Sequence, residues 1–462
     1  MTQSDEVTDA REVDVVVVGL GPGGEATATG LAKAGLEVVA VEKHLVGGEC
    51  PYYGCIPSKM MIRAADALAE TRRVPALAGE ARVVPSWEPV ATRIRDEATA
   101  DWDDTVAVER LEDAGATVVK GTGRLEARDV VSVDGLRFRA RRAVVLNPGT
   151  SPSAPPVDGL ADTPYWTNRD AVKVTELPAS LAVIGGGAIG CELAQAFSRF
   201  GVRVTLLEVA PRIMAVEEPE VSELVTSVFV REGIRVMAGA QIASVAYAEG
   251  RFRLDLGEET VEVDKLLVAA GRRPNLADLG LETVGLDGSA RTFETDDAMR
   301  VLADGAPVEG LYAIGDVTGR GAFTHMSMYE SAAVLRAVLD DGEVPTTSAV
   351  PRVTFTDPEV GAVGLTEQQA RDQGLDVRTS TVALSTSARG WIHQEGNDGL
   401  IKLVASGDRL VGATSAGPTG GEVLSMLTLA VHAQVPLATL RSMAYAYPTF
   451  HRTVEDALGR LD

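Results

Sequence analysis

The feature that most restricts how this chain can fold is a glycine pattern that occurs twice, each time in the same setting. The run Asp14–Val18 leads into Gly19-Leu-Gly21-Pro-Gly-Gly24, then a helix-forming stretch from Glu25 to Ala34, then a second run from Glu37 to Val41 that closes on Glu42. Leu181–Ile184 leads likewise into Gly185-Gly-Gly187-Ala-Ile-Gly190, a helix to about Phe200, and the run Arg203–Leu207 closing on Glu208. Glu42 stands 18 residues past Gly24, and Glu208 stands 18 past Gly190. Strand, tight turn, helix, strand and terminal acid in that order suit a dinucleotide. The glycines let main chain approach a pyrophosphate at a helix N-terminus, and the acid accepts ribose hydroxyls. Two such units predict an α/β fold with two Rossmann-like domains.

Two of the three cysteines follow the first unit, in Gly47-Gly48-Glu-Cys50-Pro-Tyr52-Tyr53-Gly-Cys55-Ile-Pro-Ser-Lys59. Closing a disulfide brings the two Cα atoms within about 7 Å, so the residues between them must turn and cannot run as a strand. The helix-forming run from Lys59 and the Lys59 ammonium put positive potential near the sulfurs, which favours thiolate. A stable structural bridge fits poorly with a chain whose start lacks the pattern of a secretion signal, and a zinc site would need a second pair of ligands that the sequence does not offer. We therefore expect a redox pair and no metal. Two nucleotide sites beside a redox pair imply a flavin dinucleotide and a nicotinamide dinucleotide passing electrons to a disulfide.

Composition bounds the rest. The chain has 462 residues, 45% hydrophobic and 24% charged, with a formal net charge of −23. That charge disfavours nucleic acid and anionic membranes as partners. The polar, acidic start, Met1–Glu12, is unlike a signal peptide, and no apolar run approaches a membrane span, so a cytoplasmic enzyme is expected. Cys191, within the second helix, is expected to be a buried bystander.

The cysteine stretch resembles the redox disulfide of the class I flavoprotein (pyridine nucleotide) disulfide reductases. The resemblance implies that Cys50 exchanges with substrate, that Cys55 contacts the flavin, and that Lys59 sits beside it, paired with Glu192. Ala269-Ala-Gly271-Arg-Arg-Pro274-Asn275 resembles the segment closing the family's nicotinamide domain, and Leu311-Tyr-Ala-Ile-Gly315-Asp316 resembles its second flavin motif, whose aspartate bonds the ribityl chain. Lys43, Gly48 and Gly123 join the cofactor-binding positions on the same ground. From Pro351 to Gly361 the chain resembles the opening of the family's dimerisation domain. The implied organisation is FAD-binding over 1–155 and 286–345, NAD(P)-binding over 156–285, and an α+β dimerisation domain over 346–462, in a homodimer acting on a small oxidised substrate. Glu208 argues for NADH, because a carboxylate repels a 2′-phosphate, while Arg203 and Arg212 leave NADPH open. Asn147-Pro-Gly-Thr150 reads as a linker variant stiffened by Pro152, Pro155 and Pro156.

The chain also departs from that family. Where lipoamide dehydrogenase has His-Pro-Thr-x-x-Glu, this chain has Tyr447-Pro-Thr-Phe-His451-Arg452. At an unperturbed pKa near 10, only about one tyrosine in a thousand is phenolate at pH 7. Tyr447 could act as an acid, His451 could stand in from a helix start, or the substrate could need no thiol base. Arg452 could face the disulfide or form an interface salt bridge. Tyr52 and Tyr53 could shape an aromatic entrance or pack on a partner chain. Mercuric reductase has tyrosine near this position but adds C-terminal cysteines, which are missing here. A flavin diaphorase reducing quinones, and a carboxylating reductase that cleaves C–S bonds, remain as alternative functions.

Overall fold

The structure is a computed structural model that describes residues 10–344 and 349–461. The expected domain boundary at 345/346 lies outside the described residues. Of the described residues, one compact unit takes those within Met1–Ile56, Arg95–Pro152 and Arg272–Thr346, and a second those within Pro57–Ile94, Ser153–Gly271 and Thr347–Asp462.

The first unit is built on strand β1 (Arg11–Val18), in which Val13, Val15, Val16 and Val17 are fully buried. A strand apolar on both faces needs cover on both, which a parallel sheet with helical crossovers supplies. Helix α1 (Pro22–Lys33) crosses to strand β2 (Val38–Glu42), parallel to β1 with Val15 opposite Val38. Thr117–Lys120 extends the sheet beyond β2, and Leu136–Leu146 and Ala306–Ala313 extend it on the other side of β1, all parallel. Helix Thr324–Leu339 lies against α1, where the Thr27 hydroxyl donates to Ser331 Oγ at 2.8 Å. After β2 come the single-turn helix α2 (Glu49–Tyr52) and α3 (Cys55–Leu77), whose first two residues belong to this unit.

In the second unit, Ser180–Ile184 stands between Arg203–Glu208 and Lys265–Val268 in a four-stranded parallel sheet completed by Arg235–Ala238. Helix Ala188–Arg199 follows its first strand. Beyond Pro351 a five-stranded antiparallel sheet packs helix Gly420–His432 through Leu424, Leu427 and Val431. Buried ion pairs fasten this unit internally: Arg199, 2% exposed, donates to Asp66 at 2.6 Å, Glu232 at 2.6 Å and Asp357 at 2.7 Å. Burial pushes the Asp66 carboxyl up to about 6 despite that guanidinium. Two parallel α/β sheets and a C-terminal antiparallel α+β layer match the expected fold class.

Boundaries moved where turn chemistry won. The first helix begins at Pro22 and not at Glu25, because proline at the first helical position has its φ already set and lacks only an N–H that the helix does not use. Both cysteines are helical, since α3 starts at Cys55, four residues ahead of Lys59. His451 is not at a helix start: the last helix is Thr453–Leu458, and His451 lies in the preceding turn. Among the described residues, no helix is long and apolar enough to cross a membrane.

Candidate functional site

The two glycine turns are wired alike. Glu42 Oε2 accepts from the N–H of Leu20 at 2.7 Å, and its Oε1 accepts from that of His44 at 2.7 Å. Glu208 Oε2 accepts from Gly186 at 2.6 Å, and its Oε1 from Ala210 at 2.8 Å. Each acid thus ties the strand that carries it to the glycine turn beside it. Gly19 and Gly185 adopt left-handed φ values of +91° and +111°, and Gly21 and Gly187 precede the first residues of their helices. A Cβ at Gly24 would lie 2.0 Å from Gly19 O, and one at Gly190 would lie 1.9 Å from Gly185 O. Helix N-termini with bare main chain in front are the surface a pyrophosphate needs, so both cradles fit a dinucleotide. Gly48 joins the first, since a Cβ there would come within 2.8 Å of Gly21 Cα. Gly123 packs instead against Val18 and Val41, and Lys43 is exposed.

The second flavin motif forms the short helix Gly315–Thr318, held from below by Glu330, which is 1% exposed. Glu330 accepts from the Gly315 N–H at 2.5 Å and from the Thr318 hydroxyl at 2.8 Å. Burial pushes its carboxyl up to about 7, with those two hydrogen bonds pulling the other way. Asp316 Oδ2 accepts from Thr150 Oγ1 at 2.6 Å, so Thr150 is tied to that motif and not simply part of a linker. Arg272, just past the left-handed Gly271, donates to Thr150 Oγ1 and to Thr150 O, each at 2.7 Å.

Cys50 lies in α2 and Cys55 opens α3. Both are half-buried thiols in hydrogen-bonding contact with each other. Cys55 Sγ lies 3.5 Å from Thr324 Oγ1. The hydrogen bond to Cys55, and then burial, push the Cys50 thiol far above the usual range. A negative charge on one sulfur so close resists a second, so the pair favours holding one proton between them. The Lys59 ammonium is engaged elsewhere, 2.8 Å from Glu192 Oε2 and 4.6 Å from the centroid of the Phe355 ring. Glu192 is 5% exposed and accepts at Oε1 from the Phe355 N–H at 2.8 Å. Cys191 is fully buried, its thiol donating to Gly186 O at 3.3 Å and pushed up by burial, as befits a bystander.

The tyrosines between the cysteines take different places. Tyr52 is buried in its own unit at 6% exposure, which excludes it from an entrance, while Tyr53 is half-buried. Trp102 Nε1 donates to Tyr52 O at 3.1 Å, from a segment in which Ala100, Asp101 and Trp102 all have positive φ. Nothing in the spacing of Trp102, Thr150, Thr324 or Glu330 marks them from sequence. Tyr447 is 70% exposed, with the Arg452 guanidinium 5.6 Å from its ring centroid. Arg452 pairs with Glu455 at 2.8 Å, and His451 packs toward Tyr445 with ring centroids 6.0 Å apart. Arg452 thus has an ion-pair partner within its own segment.

Comparison with known proteins agrees with this geometry. Residues 13–334 match the pyridine nucleotide-disulphide oxidoreductase family, and residues 350–458 match its dimerisation domain. The chain is 32% identical over 450 residues to a mercuric reductase of Acidithiobacillus ferrooxidans, spanning 96% of this chain and 81% of that protein. It is 30% identical over 457 residues to a dihydrolipoyl dehydrogenase of Chlamydia muridarum, spanning 97% of each. Among solved structures, the Cu(II) complex of the HOCl-induced flavoprotein disulfide reductase RclA from Escherichia coli superposes with a TM-score of 0.84 at 25% identity, covering 97% of this chain and 100% of that one. LpdA from Mycobacterium tuberculosis shares the fold, with a TM-score of 0.84 over 98% of this chain and 100% of that one at 24% identity. With both cradles, the cysteine pair and the C-terminal sheet in place, the chain belongs to the pyridine nucleotide-disulphide oxidoreductases, enzymes that use FAD and a pyridine nucleotide.

Proposed function

We propose that this protein is an FAD-dependent NADH oxidoreductase that delivers electrons to the Cys50–Cys55 pair and from there to a small disulfide or a comparable oxidised acceptor. The observation that carries this reading is the hydrogen-bonded contact between the two thiols in the same unit as the Glu42 cradle and the Asp316 helix. Flavin held there would take hydride from the nicotinamide and pass two electrons to the sulfurs. Glu42 and Asp316 would hold the flavin's two sugars, and the main-chain N–H groups opening α1 would face its pyrophosphate. Cys55, against Thr324, would be the sulfur nearer the flavin. Cys50 keeps its proton until a substrate arrives, so exchange requires that proton to leave as the new S–S bond forms.

Glu208 supports NADH, and Arg212 supports it further. That guanidinium is already engaged by Met214 O at 3.2 Å, Ala215 O at 2.8 Å and Ser222 Oγ at 2.6 Å, which leaves it poorly placed to take a 2′-phosphate. The dimerisation domain supports a homodimer, and Trp391 at 77% exposure and Leu429 at 62% are apolar surface that a second copy would cover. A reducing, cytoplasmic setting suits a pair that cycles through its dithiol form.

A second reading has its own support. The segment 447–452 puts tyrosine and arginine where lipoamide dehydrogenase has its histidine and glutamate, Arg452 pairs with Glu455, and His451 packs toward Tyr445, so the usual partner for the Cys50 proton is replaced. A quinone-type acceptor reduced directly by the flavin would need no such base. The test is an anaerobic titration of the holoenzyme with NADH, and in parallel with NADPH, counting thiols in quenched samples. Disulfide reduction predicts that one equivalent of NADH releases two thiols per chain, at lower concentrations than NADPH requires. Bleaching of the flavin without thiol release would overturn it in favour of direct transfer.

A further inference from the structure

Beside Cys50 stands a carboxylate that the reading above leaves unassigned. Glu49 opens α2, and its Oε2 lies 3.6 Å from Arg272 Nη2, both side chains about a quarter exposed. Arg272 also grips Thr150 twice, through its hydroxyl and its carbonyl, and the Thr150 hydroxyl in turn donates to Asp316. Thr150 and Arg272 belong to the two antiparallel strands Thr150–Pro152 and Arg272–Pro274, which fix their spacing through main-chain pairing. Glu49, Arg272, Thr150 and Asp316 thus form one polar chain within the first unit, reaching from the residue next to Cys50 to the carboxylate of the second flavin motif.

We propose that Glu49 and Arg272 are positioning residues, with Arg272 neutralising the carboxylate next to Cys50 and orienting the Thr150 hydroxyl toward Asp316, so that the thiol helix and the flavin-sugar contact are set by one guanidinium. This rests on the flavin and thiol reading above. Charge sets the direction of each effect. With Arg272 removed, the carboxylate next to Cys50 loses this countercharge and opposes ionisation of the thiol more strongly; with Glu49 neutralised, the opposition goes and the guanidinium remains. Thr150 carries only the other branch, toward Asp316. The planar fork of arginine suits this double role, since it donates to Thr150 through two nitrogens while facing Glu49, which a lysine cannot do.

The experiment uses the reduced holoenzyme under nitrogen, with iodoacetamide as the probe and peptide mass spectrometry to read Cys50 separately from Cys55. Glu49→Gln is expected to speed alkylation of Cys50 about threefold at fixed pH, the effect of a half-unit fall in pKa, and Arg272→Gln to slow it by a similar factor. The double variant should return close to the parent rate. FAD retained through gel filtration should fall in Arg272→Gln and in Thr150→Val and stay at the parent level in Glu49→Gln. If Arg272→Gln does not fold, Arg272→Met, which also removes the charge, and Thr150→Val carry the same test. Alkylation rates that move the same way in Glu49→Gln and the Arg272 variant, or that do not move, overturn the proposal, as does full FAD retention in Thr150→Val. Because no NADH is added, this outcome is independent of whether NADH releases thiols.

Discussion

In the first glycine turn Glu42 receives two main-chain N–H groups, and in the second Glu208 receives two from equivalent places, yet what lies behind the turns differs. The first is backed by packed protein: a Cβ at Gly23 would come within 2.1 Å of Ser327 Oγ, and Asn147 Nδ2 donates to Gly19 O at 3.2 Å. At the place of Gly23 the second turn has Ile189, 37% exposed, and a Cβ at Gly187 would meet nothing within 4 Å. Glu42 is 8% exposed, whereas Glu208 is half-buried. The same local wiring therefore serves two ends. A turn clamped on all sides suits a cofactor that stays, and a turn open in front suits one that comes and goes.

The largest effect should come from filling each turn. Gly24→Ala and Gly190→Ala both drive a methyl into a carbonyl oxygen that belongs to the turn itself and cannot swing aside. Forcing extra volume into packed main chain costs roughly 1–3 kcal/mol or more. We expect Gly24→Ala to lose most of its flavin on purification and to melt lower. Gly190→Ala should keep its flavin and raise the KM for NADH at least about tenfold, on the order of 1.4 kcal/mol of binding. Absorbance ratios and steady-state kinetics decide it; equal flavin loss in both variants would break the comparison.

Glu330 gives the next largest effect and concerns the first region alone. Its folded value of about 7 lies above the ordinary 4.5, so the folded state holds this proton more tightly than the unfolded chain. The stability it confers is complete below pH 4.5 and is lost as pH rises through 7, by up to about 3 kcal/mol for a shift of that size. Flavin retention should decline over that window in the parent and stay level in Glu330→Gln, whose amide can still serve both Gly315 and Thr318. NADH binding should stay level in both proteins across the same range. A parallel decline in NADH binding would show that buried support is not what separates the two regions.

Legibility in the sequence follows the range of the interactions. The two strand-turn-helix-strand-acid units could be read directly, because glycines that admit main chain and an acid that caps a turn are local needs with fixed spacing. The cysteine pair was equally plain, and the pairing of Lys59 with Glu192 followed from the resemblance. The mutual hold of the two thiols was not legible, since it depends on how the turn brings Cys50 to Cys55 and on burial. Thr150 was read as linker because its hydroxyl finds Asp316 across 166 positions, and Trp102 reaches Tyr52 across 50, while Glu330, 15 positions past Gly315, follows no motif spacing. Tyr52 stood open in the sequence between an entrance and a partner contact, because local pattern does not tell which way a ring beside a turn will point, and its burial is set by residues far along the chain.

The smallest effect is also the sharpest on burial itself. Replacing Glu42 or Glu208 by glutamine keeps the shape of the side chain and leaves one oxygen where there were two, so one of the two main-chain N–H groups loses its acceptor. An unmet donor costs about 1–3 kcal/mol when buried and little when water can reach it. Glu42→Gln should therefore lower stability by about 1 kcal/mol or more, and Glu208→Gln by clearly less, as read by thermal melting of the purified proteins. The difference comes from exposure, because the hydrogen bonds replaced are of the same kind and within about 0.1 Å of the same length. Were the two losses equal, solvent would not be reaching the second turn, and its openness could not explain a nucleotide that exchanges.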